Sequence, residues 1–444
     1  MPLRVLAVPA ERELLGLPWD IPLEDWPRDT LVALPRGLSR HTVRFVRLRG
    51  HVFAVKEIAE HVALGEYRML RDLQRLGAPA VEAAGVIAGR EDAAGEPLEA
   101  VLMTRHLQFA MPYRALFSQT LRPETTLRLV DALVALLVRL HLTGFYWGDC
   151  SLSNTLFRRD AGAFAAYLVD AETGAFHEHL STGQREYDID LARTNIFGEL
   201  ADLEAGELLD ETLDSLEVAD SVVARYRSLW AELTRAEVFD TGQMYRIDSR
   251  IRRLNDLGFD VAELDIVTDV DGRTVRIEPK VVDPGHHSRR LLRLTGLDVE
   301  ENQARRLLND LDSYRAYTDQ QNEEEEIVAH EWVTTVFEPV VRAVPRSLRG
   351  KLEPAEVFHE VLLHRWYLSE QAGHDVGVTS ALRSYVDDVL PTKPDEQAVL
   401  GRRLLRRERV GGEGGADGDP VPGDAEDDLE TTQELRLTLE DLMA

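Results

Sequence analysis

The sequence predicts an α+β protein: a two-lobed domain followed by a mainly helical second domain that carries a β-hairpin. Three observations carry this reading. Alternating apolar runs between Val43 and Arg105 surround a single helical stretch. A helix that is apolar nearly all round, across residues 124–144, leads into a short strand, a turn and another strand. Beyond residue 236 the pattern is helical except for two β-rich runs flanking Asp271-Gly272, a strong hairpin signal.

The elements follow in order. Residues 1–30, punctuated by Pro18, Pro22 and Pro27, read as an irregular lead-in. VRFVRLRG and HVFAVKEI are strand-like about a turn at Gly50. EIAEHVALGEYRMLRDLQRL spaces Leu64, Tyr67, Leu70, Leu73 and Leu76 for one buried face, and Gly77 ends it. VEAAGVIAG and LEAVLMTRHL supply two more strands. Pro123 opens the apolar helix, which should be buried on most sides, and Gly144 is its stop. The loop FYWGDCSLSN, the strand TLF, the turn RRDAGA and the strand AAYLVD come next, and Tyr187 to Arg235 is mainly helical. The reading divides the chain into a lead-in (1–30), a first domain (31–230), a helical domain (231–395) and an acidic, largely disordered tail (396–444). Within the helical domain, Asp248 to Leu257 reads as a helix.

At 444 residues and 44% apolar, the chain is long for one core and ordinary for a globular protein. Its net charge of −28 opposes binding to nucleic acid and to anionic membrane surfaces. No window approaches the roughly 20 apolar residues of a membrane span, so membrane insertion is not expected. The single cysteine, Cys150, cannot form an internal disulfide, which agrees with a reducing, cytoplasmic setting.

Chemistry concentrates in the first domain. In GDCSLSN, Asp149 and Asn154 lie five apart (154 − 149 = 5), the D-x-x-x-x-N spacing of a kinase catalytic loop. A carboxylate there can take or orient the proton of an attacking hydroxyl. A neutral amide oxygen can coordinate Mg²⁺ without adding charge beside phosphates. Alone the pattern is common, and a turn aspartate with a capping asparagine leaves the same trace. Asp170 ends the apolar strand of YLVDAETG, 16 residues after Asn154 (170 − 154 = 16), a gap that one short hairpin fills.

With these residues the chain resembles the protein-kinase-like superfamily, in particular its lipopolysaccharide-kinase and aminoglycoside-phosphotransferase branches. The resemblance implies Mg²⁺- and ATP-dependent transfer of the γ-phosphate to a hydroxyl acceptor, whether small molecule, sugar or protein. Asp149 would be the base or orienting group, and Asn154 and Asp170 the metal ligands. Glu172 is a candidate for a further carboxylate. Lys56, at the end of FAVKEI, matches the ATP-anchoring lysine, and lysine is scarce in this arginine-rich chain. Glu66 would hold Lys56, with Glu57 and Glu60 as competitors. Thr104 to His106 fall at the interlobe hinge, whose backbone would bind adenine. Asp190 resembles the aspartate that supports the catalytic loop by hydrogen bonds, with Asp188 as the alternative.

The departures matter as well. LPRGLSRHTVRFV holds one glycine, Gly37, so Ser39, Arg40 and His41 would replace a glycine-rich phosphate loop with side-chain donors. Trp147-Gly148 precede the catalytic aspartate without an arginine, and Ala171 and Glu172 replace the Phe and Gly of D-F-G. These changes keep a second reading open: a pseudokinase-like, nucleotide-binding regulatory or scaffold protein without turnover.

The stretch from Arg276 to Tyr317 resembles a bacterial domain of uncharacterised function that follows lipopolysaccharide-kinase-like domains, and the resemblance runs over most of residues 230–390. It brings no activity with it. Lys280, His286, His287, Arg289, Arg290 and Arg293 form a basic cluster whose simpler reading is pairing with surplus carboxylates. His359 and His364, five apart on one helix, point to different faces and read as structural.

Overall fold

A computed structural model describes residues 3–7, 12–32, 34, 41–117, 123–234, 237–240, 259–268 and 274–397. It has two compact units, Met1–Arg158 with Ala163–Gly285, and Arg159–Gly162 with His286–Ala444.

The first unit opens with an antiparallel sheet of order β1-β4-β5-β3-β2. Its strands are β1 (Arg4–Ala7), β2 (Thr42–Leu48), β3 (His51–Ile58), β4 (Ala83–Ala88) and β5 (Ala100–Arg105). Side chains alternate between the two faces of a strand, and two apolar clusters result. Ile58, Val86 and Leu102 face α1 (Glu60–Arg75), while Val55, Ile87, Val101 and Met103 face the lead-in. The lead-in is therefore not irregular filler. It contributes β1 at the sheet edge and lays Trp19, Leu23 and Trp26 over the outer face. Arg90, 1% exposed, fixes it there by donating to the carbonyls of Trp19 and Ile21 and to the Glu57 carboxylate at 2.6 Å.

The helical lobe is built on α3 (Pro123–Leu142), reached through β6 (Met111–Pro112) and α2 (Tyr113–Phe117). Leu129, Leu133, Leu136, Leu137 and Leu140 lie in one core, as the all-round apolar pattern predicts. Each fully buried leucine contributes about 2 kcal/mol. The helix stops at Gly144, at φ +79°, where a Cβ would stand 2.1 Å from the His177 carbonyl oxygen. Then follow β7 (Phe145–Tyr146), the hairpin β8 (Thr155–Asp160) and β9 (Ala163–Leu168), β10 (Ala175–Phe176), α4 (Thr182–Ala205) and α5 (Ser215–Thr234). The β7–β10 pairing had no separate signal in the sequence.

The remaining strands, β11 (Glu237–Asp240), β12 (Phe259–Thr268) and β13 (Thr274–Pro284), form a sheet of order β11-β13-β12. The β12–β13 pairing agrees with the predicted hairpin, and by compactness these strands fall in the first unit, which runs to Gly285. The reason is tertiary: β13 runs beside α5 and α3. The expected helix at Asp248 to Leu257, the Asp271-Gly272 turn and nearly all of the acidic tail lie outside the described residues.

The second unit consists of α6 (His286–Thr295), α7 (Glu301–Tyr317), α8 (Glu325–Trp332), α9 (Glu338–Arg342), α10 (Pro354–Ala372) and α11 (Gly377–Ser384), with short helical turns between them. Its core gathers Trp332, Phe337 and Phe358 among aliphatic side chains. Helix starts are capped by carboxylates from elsewhere. Glu301 accepts from the amides of His287 and Ser288 at 2.8 and 3.0 Å, and Asp160 accepts from those of Asn302 and Gln303 at 3.1 and 2.7 Å. Of the basic cluster, Arg290 pairs with Glu325.

Candidate active site

The loop between β7 and β8 holds Asp149 and Asn154. Gly148 allows its tight entrance: at φ +76°, a Cβ there would meet the Tyr146 ring at 2.9 Å. The amide of Asn154 donates to the Asp149 carbonyl (3.0 Å) and to its carboxylate (3.1 Å). Its amide oxygen has no hydrogen bond among the described residues.

One face of α4 positions the whole loop. Asp188 accepts from the amides of Trp147 and Gly148, both at 2.8 Å. Asn195 donates to the second Asp149 carboxylate oxygen and to the Cys150 carbonyl, both at 3.1 Å. Glu199 accepts from the amides of Leu152 and Ser153 at 2.7 and 3.0 Å. Asp190, expected to support the loop, does not; it is exposed. Two residues on a helix are about 200° of rotation, so Asp188 turns inward where Asp190 turns to solvent. Asp188 also faces Nε2 of His141 at 3.0 Å, and Nδ1 of that ring meets the Tyr226 hydroxyl at 2.7 Å. A carboxylate can only accept, so Nε2 carries the proton. Asn195 and Glu199 were missed in the sequence, although their offsets from Asp188 (195 − 188 = 7, 199 − 188 = 11) place them on its face of the helix.

Opposite this loop stands Lys56. Its ammonium donates to Glu66 at 3.1 Å, Asp170 at 2.6 Å and Glu172 at 3.4 Å. Of the competing glutamates, Glu57 pairs with Arg90 and Glu60 with Arg4. Glu66 is 2% exposed; burial first, then the neighbouring Asp170 charge, pushes its carboxyl up to about 8. Burial also works against Lys56 and Asp170 in their charged forms. The carboxylates of Glu66 and Asp170 overcome it for Lys56 and raise its pKa. The Lys56 charge, with hydrogen bonds, overcomes it for Asp170 and lowers its pKa. Asp170 is thus held ionised. The amide of Glu172 donates to it at 2.9 Å and the Trp147 indole to its carbonyl at 2.9 Å. Val169 donates to the Asn154 carbonyl at 3.0 Å, so the hairpin returns Asp170 beside the catalytic loop.

Carboxylate oxygens of Glu66, Asp170 and Glu172 all lie within 4.8 Å of one another. Together with the Asn154 amide they offer the hard oxygen donors that suit Mg²⁺. His41 lies 3.2 Å from Glu172; Ser39 and Arg40 are outside the described residues. At the hinge, Thr104 lies in β5 and His106 follows it. The His106 amide does not stand free for adenine, because it donates to the Val52 carbonyl at 2.9 Å, and that of Arg105 donates to Glu82 at 2.8 Å. Backbone pairing with neighbouring stretches of the chain uses these donors itself.

A strand-rich lobe and a helical lobe, with a Lys–Glu pair on one side and Asp–Asn and Asp on the other, make a kinase-like fold. Residues 48–200 match the lipopolysaccharide kinase (Kdo/WaaP) family, and residues 228–390 match a domain of unknown function, DUF4032. No curated protein matches the chain. Among solved structures, one described as WaaP in complex with acyl carrier protein aligns with a TM-score of 0.34 at 16% identity, covering 58% of this chain and 99% of that one. Among the described residues no helix is long and apolar enough to cross a membrane.

Proposed function

We propose that the first unit is a Mg²⁺-dependent phosphotransferase that moves the γ-phosphate of ATP to a hydroxyl acceptor. The observation that carries the reading is the Lys56 ammonium bridging Glu66 and the ionised Asp170. Lys56 would hold the α- and β-phosphates, with Glu66 keeping its ammonium in place. Asn154 and Asp170, with Glu172 beside them, would hold the metal. Bound Mg²⁺ neutralises phosphate charge and supports in-line geometry. Asp149, held between Asn154 and Asn195, accepts the proton of the acceptor hydroxyl as that oxygen bonds to the γ-phosphorus. The bond to the β–γ bridging oxygen breaks, and ADP leaves with that electron pair.

The test is ATP turnover and thermal stabilisation by ATP, with and without Mg²⁺, for the wild type and Asp170→Asn. Ligand at a hundredfold excess over Kd stabilises by about 2.7 kcal/mol. We expect that shift to require Mg²⁺ and to disappear, with turnover, in Asp170→Asn. Equal turnover in the variant would sink the assignment. Stabilisation without turnover, for any acceptor tried, favours the pseudokinase-like reading.

A further inference from the structure

Helices α7 and α10 of the second unit leave a cavity of about 350 Å³ between them. That is at the lower end of the roughly 300–1,000 Å³ typical of small-ligand pockets. Leu307, Phe358 and Leu362 form its apolar lining, and Leu363 and Trp366, 41% and 56% exposed, stand at its rim. An indole left half in water beside a cavity is a ready face for a flat ligand.

Two polar side chains of this cavity, His359 and Arg306, have no protein hydrogen-bond or ion-pair partner among the described residues and can turn to a ligand. His359 is 7% exposed and has no hydrogen bond among the described residues. Burial, reinforced by the Arg306 charge, lowers its pKa to about 4, so the ring is neutral and offers both a donor and an acceptor. Arg306 also lines the cavity, is exposed, and has no ion pair among the described residues. Arg290, Arg342 and Arg365 of the same unit each have a carboxylate. The one carboxylate on the cavity wall, Asp310, accepts from the Trp332 indole at 2.8 Å.

We infer that this cavity binds a small organic monoanion, an aromatic or branched apolar body bearing one carboxylate. The carboxylate pairs with Arg306, the body lies against Trp366 and Phe358, and His359 supplies a hydrogen bond. Asp310 on the same wall disfavours a dianion, and so disfavours phosphate esters. The site lies wholly in the second unit and does not depend on the phosphotransferase reading.

The experiment is saturation-transfer NMR on the full chain with 3-phenylpropionate and its neutral amide as probes. Transfer to the acid is expected, with the amide about tenfold weaker, equivalent to one charge-assisted contact of about 1.4 kcal/mol. Arg306→Gln should abolish the preference for acid, and Trp366→Ala should weaken both probes. Both side chains are exposed, so unchanged thermal midpoints verify that the variants fold. No transfer to the acid, equal binding of acid and amide, or an unaltered preference in Arg306→Gln would each overturn the inference.

Discussion

At the residue scale, Asp149, the proposed catalytic aspartate, is held from both sides, and the two holders differ in how legible they are. Asn154 belongs to the motif itself. Asn195 lies 46 positions on, and only the fold brings its amide to 3.1 Å from Asp149. A hydrogen bond to a charged group is worth about 1.5–3 kcal/mol, which corresponds to roughly 10–100-fold in rate if it acts mainly in the transition state. Asn195→Ala should therefore lower kcat by that factor and leave the KM for ATP unchanged, since Asn195 lies away from Lys56 and its partners. Steady-state kinetics decide it, and a rise in KM at constant kcat would place Asn195 in nucleotide binding instead. The Lys56 partner was open among three glutamates for a physical reason. Neighbouring residues of a strand face opposite sides of the sheet, so Glu57 is carried away to Arg90, and Glu60 at the first turn of α1 reaches Arg4. Helical position leaves Glu66. That exclusion needs the sheet to exist before it can be made.

At the element scale, periodicity revealed most helices and strands, while the faces that elements present to one another were less readable. In α4 the choice between Asp188 and Asp190 turned on two residues of rotation, and only the Asp188 side meets the catalytic loop. In α10 the five-residue spacing of His359 and His364 did separate them, one into the cavity and one to the Ser384 hydroxyl at 3.0 Å. This separation has a consequence for acid stability. The pKa of His359 falls from 6.5 to about 4 on folding, through burial and then Arg306, against a smaller opposing effect of Glu360. A depressed folded value means that the unfolded chain binds the proton first. The contribution is therefore fully present above 6.5 and is lost as pH falls through about 4. The difference amounts to about 3 kcal/mol. Urea denaturation of wild type and His359→Leu across this window should show the wild type losing about that much more stability than the variant. Parallel losses would mean that the imidazole is solvated enough to titrate normally.

At the scale of the whole molecule, the sequence pattern changes near residue 236 while the backbone of β13 still runs beside α5, so the change of pattern and the extent of the compact unit are separate properties of the chain. What divides the chain is the core, and each unit has its own. Leu137 and Trp147 lie in one apolar cluster, Trp332 and Phe358 in another. Removing a large side chain from a packed core costs the transfer energy plus that of the cavity left behind, about 3–5 kcal/mol for Trp→Ala. Trp332 is fully buried, and its indole donates to Asp310 at 2.8 Å, so Trp332→Ala should fall at the upper end of that range. The loss belongs to the second unit. Mg·ATP, by contrast, would bind residues of the first unit and stabilise only that one. Calorimetry of the full chain should therefore resolve two transitions: Trp332→Ala lowers one, and Mg·ATP raises the other. A single transition moved by both would show that the two cores unfold as one cooperative body, and that the second unit helps to hold the nucleotide site in shape.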